Sequence, residues 1–194
     1  IKEVTAPVGI QSKLGNHPYF LYVGALHPRK NITGLIRGFH HFNATQNGKY
    51  RLVLAGRLAW KTDDIKREID VGGDVIYIGM ISESLKYTLL SEAEAMTYVS
   101  WFEGFGIPIL EAMSTGCPVI TSSVTSMPEV AGDAALLADP SDIGSISNAM
   151  QQVTGNVELR SELIEKGYKR VGEFNWKVSA KIIYDELVEK VSKR

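Results

Sequence analysis

The sequence predicts an α/β protein built on a Rossmann-like, doubly wound parallel sheet of about six strands, with helices on both faces and a helical C-terminus. Three observations carry this reading. Short apolar runs alternate with helical patterns from Tyr19 to Ala138, the order that βαβ units impose. Three of those runs stop at a glycine, at Gly24, Gly56 and Gly79. After Asp139-Pro140 only helical patterns remain. Right-handed crossovers then spread the helices over both faces of the sheet. In such sheets the ligand crevice lies at the carboxyl ends of the strands.

In chain order, residues 1–18 carry Pro7, Gly9, Gly15 and Pro18 and read as a lead-in or linker, leaving 19–194 as the domain. Tyr19–Val23 is a compact apolar run of the kind buried on both faces of a parallel sheet. A loop from Gly24 to Asn31 leads to a helix with Ile32, Leu35, Ile36 and Phe39 at core spacing. Arg51–Ala55 is the second strand. A polar helix comes next over about 62–70, with Asp63 and Asp64 placed where they suit the helix dipole. The third strand is Asp74–Ile78, and Ser82 is the candidate N-cap of a helix running to Leu90. Ala95–Val99 is the fourth strand, with an exit loop from Ser100 to Gly106. A helix over about 107–115 leads to a fifth strand at Pro118–Thr121, and Ala134–Ala138 offers a short sixth. Helices over about 142–153, 157–171 and 176–191 close the chain.

Composition narrows the function classes. The chain has 194 residues, enough for one large domain with a substantial core. Its net charge of -1 gives no support to a nucleic-acid binder that relies on a basic surface. The one cysteine, Cys117, has no intramolecular partner, so a reducing compartment is the simpler expectation. No run is long enough to span a bilayer as a helix, and no signal segment is evident. The chain begins at Ile1 rather than Met and reads as a piece of something longer. Neither a G-x-G-x-x-G after a strand nor a Walker-type phosphate loop occurs. His17, His27, His40 and His41 lack metal-ligand spacing, and the His40-His41 pair reads as helix surface.

The chemistry points to the stretch from Glu103 to Glu111. Gly104 and Gly106 allow close backbone approach and positive φ. The helix beyond them offers free N–H groups and the positive end of its dipole, and Pro108 sits where a helix tolerates proline. Together these suit an anion such as a diphosphate. Either glutamate could accept hydrogen bonds from vicinal hydroxyls of a sugar or ribose; each also fits an ordinary solvated acid. Arg29 and Lys30 precede a helix N-terminus, which is wrong for the dipole unless an anion sits there too. A basic surface loop is the plain alternative. Tyr98, Trp101 and Phe102 read mainly as packing residues near the fourth strand's end, with lining of the crevice by one of them as the alternative.

These residues resemble a known family. Glu103-Gly-Phe-Gly-Ile-Pro-Ile-Leu-Glu111-Ala-Met carries an E-x7-E motif, followed by Gly116-Cys-Pro-Val-Ile and by Met127-Pro-Glu-Val-Ala-Gly-Asp-Ala-Ala-Leu-Leu. Tyr22-Val-Gly-Ala-Leu-His-Pro-Arg-Lys-Asn stands upstream, and Phe174-Asn-Trp176 precedes the last helix. In this order the set resembles the C-terminal, donor-binding half of retaining GT-B glycosyltransferases, the group that includes bacterial mannosyltransferases and the glycogen and sucrose synthases. The resemblance implies that Glu103 contacts hydroxyls of the donor sugar and Glu111 the ribose hydroxyls. It implies that backbone around Gly104, Phe105, Gly106 and Ile107 cradles diphosphate and sugar, and that Lys30 binds phosphate. Gly24 and Ala25 open the first loop. Many members carry arginine where this chain has Ala25, and Arg29 is the expected substitute. Gly79, Met80 and Ile81 match the place where the nucleotide base packs, and Arg57 is a second-tier crevice residue.

The resemblance thus implies a metal-independent, retaining hexosyltransferase half, with Glu103, Lys30 and Arg29 as its catalytic set. Its donor would be a nucleotide-diphosphate sugar, GDP-mannose first and UDP-sugars next, and no cofactor is implied. The acceptor, a glycan or lipid, would be held by an N-terminal half absent from this chain, onto which the last helix would dock. A cytoplasmic setting, with peripheral association of the full-length protein at the inner face of the membrane, is implied as well. A nucleotide-sugar epimerase and a non-catalytic sugar-nucleotide-binding module are the alternatives.

Overall fold

A computed structural model describes Gly9, Ser12 and residues 14–192; most of the lead-in read over 1–18 lies outside the described residues. The sheet has six strands: β1 (Tyr19–Val23), β2 (Arg51–Ala55), β3 (Val75–Gly79), β4 (Ala95–Tyr98), β5 (Val119–Ser122) and β6 (Leu136–Ala138). Their order is β3-β2-β1-β4-β5-β6, and every pairing is parallel. β1 is therefore the point where the winding reverses. The chain builds outward from β1 to β3, then crosses back to lay β4 on the other side of β1.

Between the strands lie α1 (Ile32–Thr45), α2 (Asp63–Ile69), α3 (Glu83–Glu92), α4 (Ile107–Ser114) and the one-turn α5 (Met127–Ala131). Then come α6 (Ile143–Gly155), α7 (Val157–Gly172) and α8 (Trp176–Ser192). The contacts define two helix layers: α1 packs on α2 and α6, while α4 packs on α3 and α7. All six strands and the long helices fall where the sequence puts them. Ser82 caps α3 as expected, its hydroxyl accepting from Leu85 N.

Two sequence expectations need correction. The stretch holding α5 gave no helix signal, because one turn opening with Met127-Pro128 is too short to show a period. Met127, Val130 and Ala131 nonetheless bury themselves against the core. His40 is not a surface residue: its Nε2 is buried without a hydrogen-bond partner, and the ring lies by Phe39 and against Gly72. Only His41 of the pair is exposed. The period placed both on a solvated face, but the loop after α2 folds over the first of them.

The core is densest around β1. Phe20 meets Phe42 edge-on at 5.4 Å and Phe39 at 6.4 Å, arrangements that aromatic quadrupoles favour. Leu21 and Tyr22 are fully buried on the two faces. By contrast, α8 leaves Val178, Ile182, Ile183, Tyr184 and Leu187 exposed. Cys117 lies just before β5, 3% exposed, and burial pushes its thiol up to about 12. Since the thiolate is the reactive species, the folded chain is expected to resist a thiol reagent at neutral pH. The chain unfolded in guanidinium should release its single thiol equivalent at once; equal reaction rates in both states would contradict this packing.

Candidate functional site

Because β1 and β4 are neighbours, the loops leaving their carboxyl ends meet. The β1 loop folds as a 3-10 turn over Pro28–Lys30, capped by His27 Nδ1, which accepts from Arg29 N at 3.1 Å. Asn31, at φ 55, then turns the chain into α1. A backbone hydrogen bond from Trp101 N to Arg29 O, 3.0 Å long, ties the β4 loop to this turn. The two loops thus present their side chains to one crevice, at the reversal point where such sheets bind ligands.

Three of the residues singled out in the sequence converge there. Lys30 Nζ donates to Glu103 Oε1 at 2.5 Å and to Tyr98 Oη at 2.8 Å. Arg29 Nη1 donates to Phe102 O at 2.6 Å and stands 3.6 Å from Glu103 Oε2. The side chains of Glu103 and Lys30 are 8% and 13% exposed, while Arg29 is 45% exposed. The cations that looked misplaced before a helix N-terminus therefore have an anion: the Glu103 carboxylate. The β4 loop is pinned from below, with Glu103 N donating to Thr125 Oγ1 at 3.3 Å. Ser126 Oγ lies 2.9 Å from both Glu103 O and Phe105 O.

The electrostatics favour an ionised carboxylate. Burial by itself would raise the Glu103 carboxyl, but Lys30, Ser100 and Tyr98 more than offset it and hold it below the ordinary carboxylate range. Ser100 Oγ is buried and meets hydrogen-bond geometry with no partner, so its contribution is that of a nearby dipole. Burial, and then the Glu103 charge, push the Tyr98 phenol well up. Tyr98 stays protonated, accepting from Lys30 while its ring stacks on Tyr22 at 6.0 Å. Tyr22 Oη in turn donates to Ala25 O at 3.0 Å.

The strand-end glycines form a continuous backbone seam beside this cluster. Gly24 N donates to Ala55 O at 2.9 Å and Gly56 N to Gly79 O at 2.7 Å. A bulge at Leu54/Ala55 lets β2 and β3 end in register with Gly79, a device that re-aims strand ends near sites. Gly56, at φ 140, packs so closely on Gly24 that a Cβ there would fall 1.8 Å from Gly24 O. Gly106, at φ 113, is the N-cap of α4, and no side chain caps that helix start. Gly104 is different: its φ is not positive and a Cβ would meet nothing within 4 Å. The expected demand for positive φ holds at Gly106 alone.

Glu111 is not part of the Lys30 cluster. It lies on α4, where Lys86 of α3 donates to its Oε1 at 2.8 Å and pairs equally closely with Glu83. Burial alone would lower the Lys86 ammonium; hydrogen bonds to Glu111 and Glu83 outweigh it and raise it. Met80, 77% exposed, and half-buried Ile81 come after the end of β3. Phe105 and Ile107 are exposed on the β4 side. Arg57 is exposed, and its backbone carbonyl accepts from Leu26 N.

Sequence reasoning missed Lys86 altogether. Its signal was present, since it stands three and four residues before Leu89 and Leu90 on the buried face of α3. Tyr98 was read as packing, and its bond to Lys30 spans 68 positions that no local pattern reveals. A cavity of about 670 Å³ lies at the opposite, N-terminal edge of the sheet by His17, Tyr19, Glu92 and Glu94. It contains none of the residues gathered at the crevice.

A family model described as glycosyl transferases group 1 matches residues 9–170. The chain belongs to that family. Among curated relatives of this group 1 domain, the O-antigen chain mannosyltransferase B of Escherichia coli is 38% identical over 174 residues. That match covers 88% of this chain and 45% of the relative. The O-antigen chain mannosyltransferase RfbU of Salmonella typhimurium is 29% identical, covering 88% and 47%. The chain thus spans about half the length of the curated relatives it matches. Among solved structures, the sucrose-phosphate synthase of Thermosynechococcus elongatus superposes with a TM-score of 0.77 at 26% identity, over 98% of this chain and 50% of that one. A trehalose-phosphate synthase from Burkholderia vietnamiensis, at 13% identity and a TM-score of 0.84 over 93% of this chain and 47% of that one, shows the same fold. These neighbours are GT-B enzymes, as the sequence resemblance implied.

The seam and the open glycine make opposite demands on substitution. Gly56→Ala is expected to lose about 2–3 kcal/mol through backbone strain and overpacking, lowering the melting temperature by roughly 5–10 °C. Gly104→Ala should melt within a degree or so of the parent. Calorimetric melts of the two variants check both; indistinguishable melts would refute the close Gly24–Gly56 approach.

Proposed function

We propose that this domain is the donor-binding half of a retaining, metal-independent mannosyltransferase that uses a nucleotide-diphosphate sugar, GDP-mannose first and UDP-sugars next. The observation that carries this is the convergence of Lys30, Arg29 and Glu103 at the β1–β4 crevice, beside the uncapped start of α4. Mannose is preferred because the relatives above are named for mannosyl transfer.

The roles are set by charge. Breaking the bond between the anomeric carbon and the diphosphate leaves the electron pair on a phosphate oxygen and cationic character on the sugar. Lys30, Arg29 and the α4 N-terminus face the phosphate and stabilise that developing charge, as oriented donors do in oxyanion holes. Glu103 accepts hydrogen bonds from sugar hydroxyls, while Gly104 leaves room for the sugar against the loop backbone. Glu111, oriented by Lys86, takes the ribose hydroxyls, and Met80 and Ile81 flank the base. Two side-chain cations and a helix dipole supply the charge that a divalent metal provides in other transferases. A glycan or lipid acceptor is held outside residues 1–194, and membrane association, where it occurs, is peripheral. Among the described residues no helix is long and apolar enough to cross a membrane.

The 194-residue chain is expected to bind donor and to transfer poorly by itself. A thermal-shift panel of GDP, UDP and ADP, with and without their sugars, identifies the base. A ligand at 100 times its dissociation constant should add about 2.7 kcal/mol of stability. In the full-length enzyme, Lys30→Ala should reduce kcat by about 100-fold or more, and Glu103→Ala should abolish transfer while nucleotide binding survives. Stabilisation by no nucleotide in the panel, or full activity of Glu103→Ala, would overturn the assignment.

A further inference from the structure

The turn that brings Arg29 and Lys30 to the crevice also borders a separate cavity of about 350 Å³. Its walls are Pro28, the first turn of α1 at Thr33 and Gly34, Trp101 of the β4 loop, and Pro140 and Ser141 after β6. Lys30, Glu103 and Glu111 do not line it. The volume falls at the lower end of the ~300–1,000 Å³ range of small-molecule sites, the scale of a sugar unit. Trp101 stands two positions before Glu103, at most about 7 Å of extended chain. A short oligosaccharide bridges that distance.

The lining has the chemistry of a carbohydrate site. Trp101 is 46% exposed, and its backbone is held in place by the hydrogen bond from Trp101 N to Arg29 O. An indole face is electron-rich, and the C–H groups on the face of a pyranose ring carry the complementary partial charge. Around it are unused hydrogen-bonding groups. Asn31, the N-cap of α1, does not cap the helix with its side chain; its Nδ2 donates instead to Pro140 O at 2.8 Å. The first-turn amides of α1 are thus left without a side-chain acceptor. The Thr33 hydroxyl offers a donor and an acceptor, and Ser141 Oγ, donating to Asp139 Oδ1 at 2.7 Å, keeps lone pairs for an incoming hydroxyl. Charge selects the ligand class. Arg37 brings a cation to the lining, but Glu68 Oε1 accepts from its Nε at 2.8 Å and its Nη2 at 2.6 Å. With that cation paired, the cavity suits a neutral polyol better than a phosphate. Resting on the glycan acceptor proposed above, we propose that this cavity is a carbohydrate subsite through which the donor half itself grips a pyranose unit of the glycan. The sugar stacks on Trp101, and Thr33 and the α1 amides hold its hydroxyls, while the reacting end of the acceptor stays with the other half.

Ligand-observed NMR of the 194-residue chain with α-linked mannobiose and mannotriose tests this. The trisaccharide should bind, and Trp101→Ala should weaken it roughly tenfold. Thr33→Val, which keeps the shape and removes the hydroxyl, should weaken it about threefold or more. Trp60→Ala removes an indole that is 67% exposed beside His27 and does not line the cavity, and it should bind as the parent does. All three variants should keep the parent's thermal shift with its preferred nucleotide, which shows that they fold and that the donor site is untouched. In the full-length enzyme, Trp101→Ala should raise KM for a trisaccharide acceptor and leave KM for the sugar nucleotide unchanged. Undiminished binding by Trp101→Ala, an equal loss in Trp60→Ala, or displacement of the trisaccharide by inorganic phosphate would overturn the subsite. A chain that answers to a nucleotide but to no mannoside would overturn it too and leave the donor site standing. A chain that answers to neither would overturn both.

Discussion

The pairing of β4 directly against β1 is the constraint on which the rest of this molecule depends. Were β4 added beyond β3, the loops carrying Lys30 and Glu103 would be separated by the width of the intervening strands. Instead the winding reverses at β1, and residues 73 positions apart in sequence share a hydrogen bond. The core enforces this adjacency through Phe20, Leu21 and Tyr22, all fully buried. Parallel strands also require crossovers, which place a helix start close to each strand end. The crevice thus receives a positive helix terminus from the same rule that brings its side chains together.

Within that frame the site is built in two layers. The outer one holds the charged groups, Arg29, Lys30 and Glu103. The inner one consists of hydroxyls and aromatic rings that fix them: Tyr98 under Lys30, Tyr22 under Tyr98, and Thr125 with Ser126 beneath the Glu103 backbone. Lys86 performs the same service for Glu111. A buried ion pair is not in itself a strong stabiliser, since desolvation opposes its attraction. Its persistence here is better understood as positioning.

How far the sequence could be read divides along the same line. Strands were legible because a strand buried on both faces is a short run of apolar residues with a distinctive end, as Tyr19–Val23 before Gly24 shows. Helices were legible through their period, and the charged residues of the crevice through a motif dense enough to recognise. The supporting layer was not. Tyr98 and Lys86 are ordinary core-facing residues by pattern, and their partners lie 68 and 25 positions away. Only the fold decides whether a buried tyrosine hydroxyl meets a lysine. The short α5 and the covered His40 escaped for a related reason, being set by what packs over them rather than by any repeat of their own.

One contact far from the ion pair has its own consequence. Phe174, in the turn that opens α8, meets Phe105 of the β4 loop edge-on at 5.6 Å, and the Arg170 guanidinium lies over the Phe174 ring. The helix beyond carries Ile182, Ile183 and Leu187 in water. The loop that bears Glu103 is therefore mechanically in series with a lever that carries apolar side chains in water. Whatever body seizes that lever gains a direct strain path, through two phenyl rings, to the backbone on which the carboxylate is mounted.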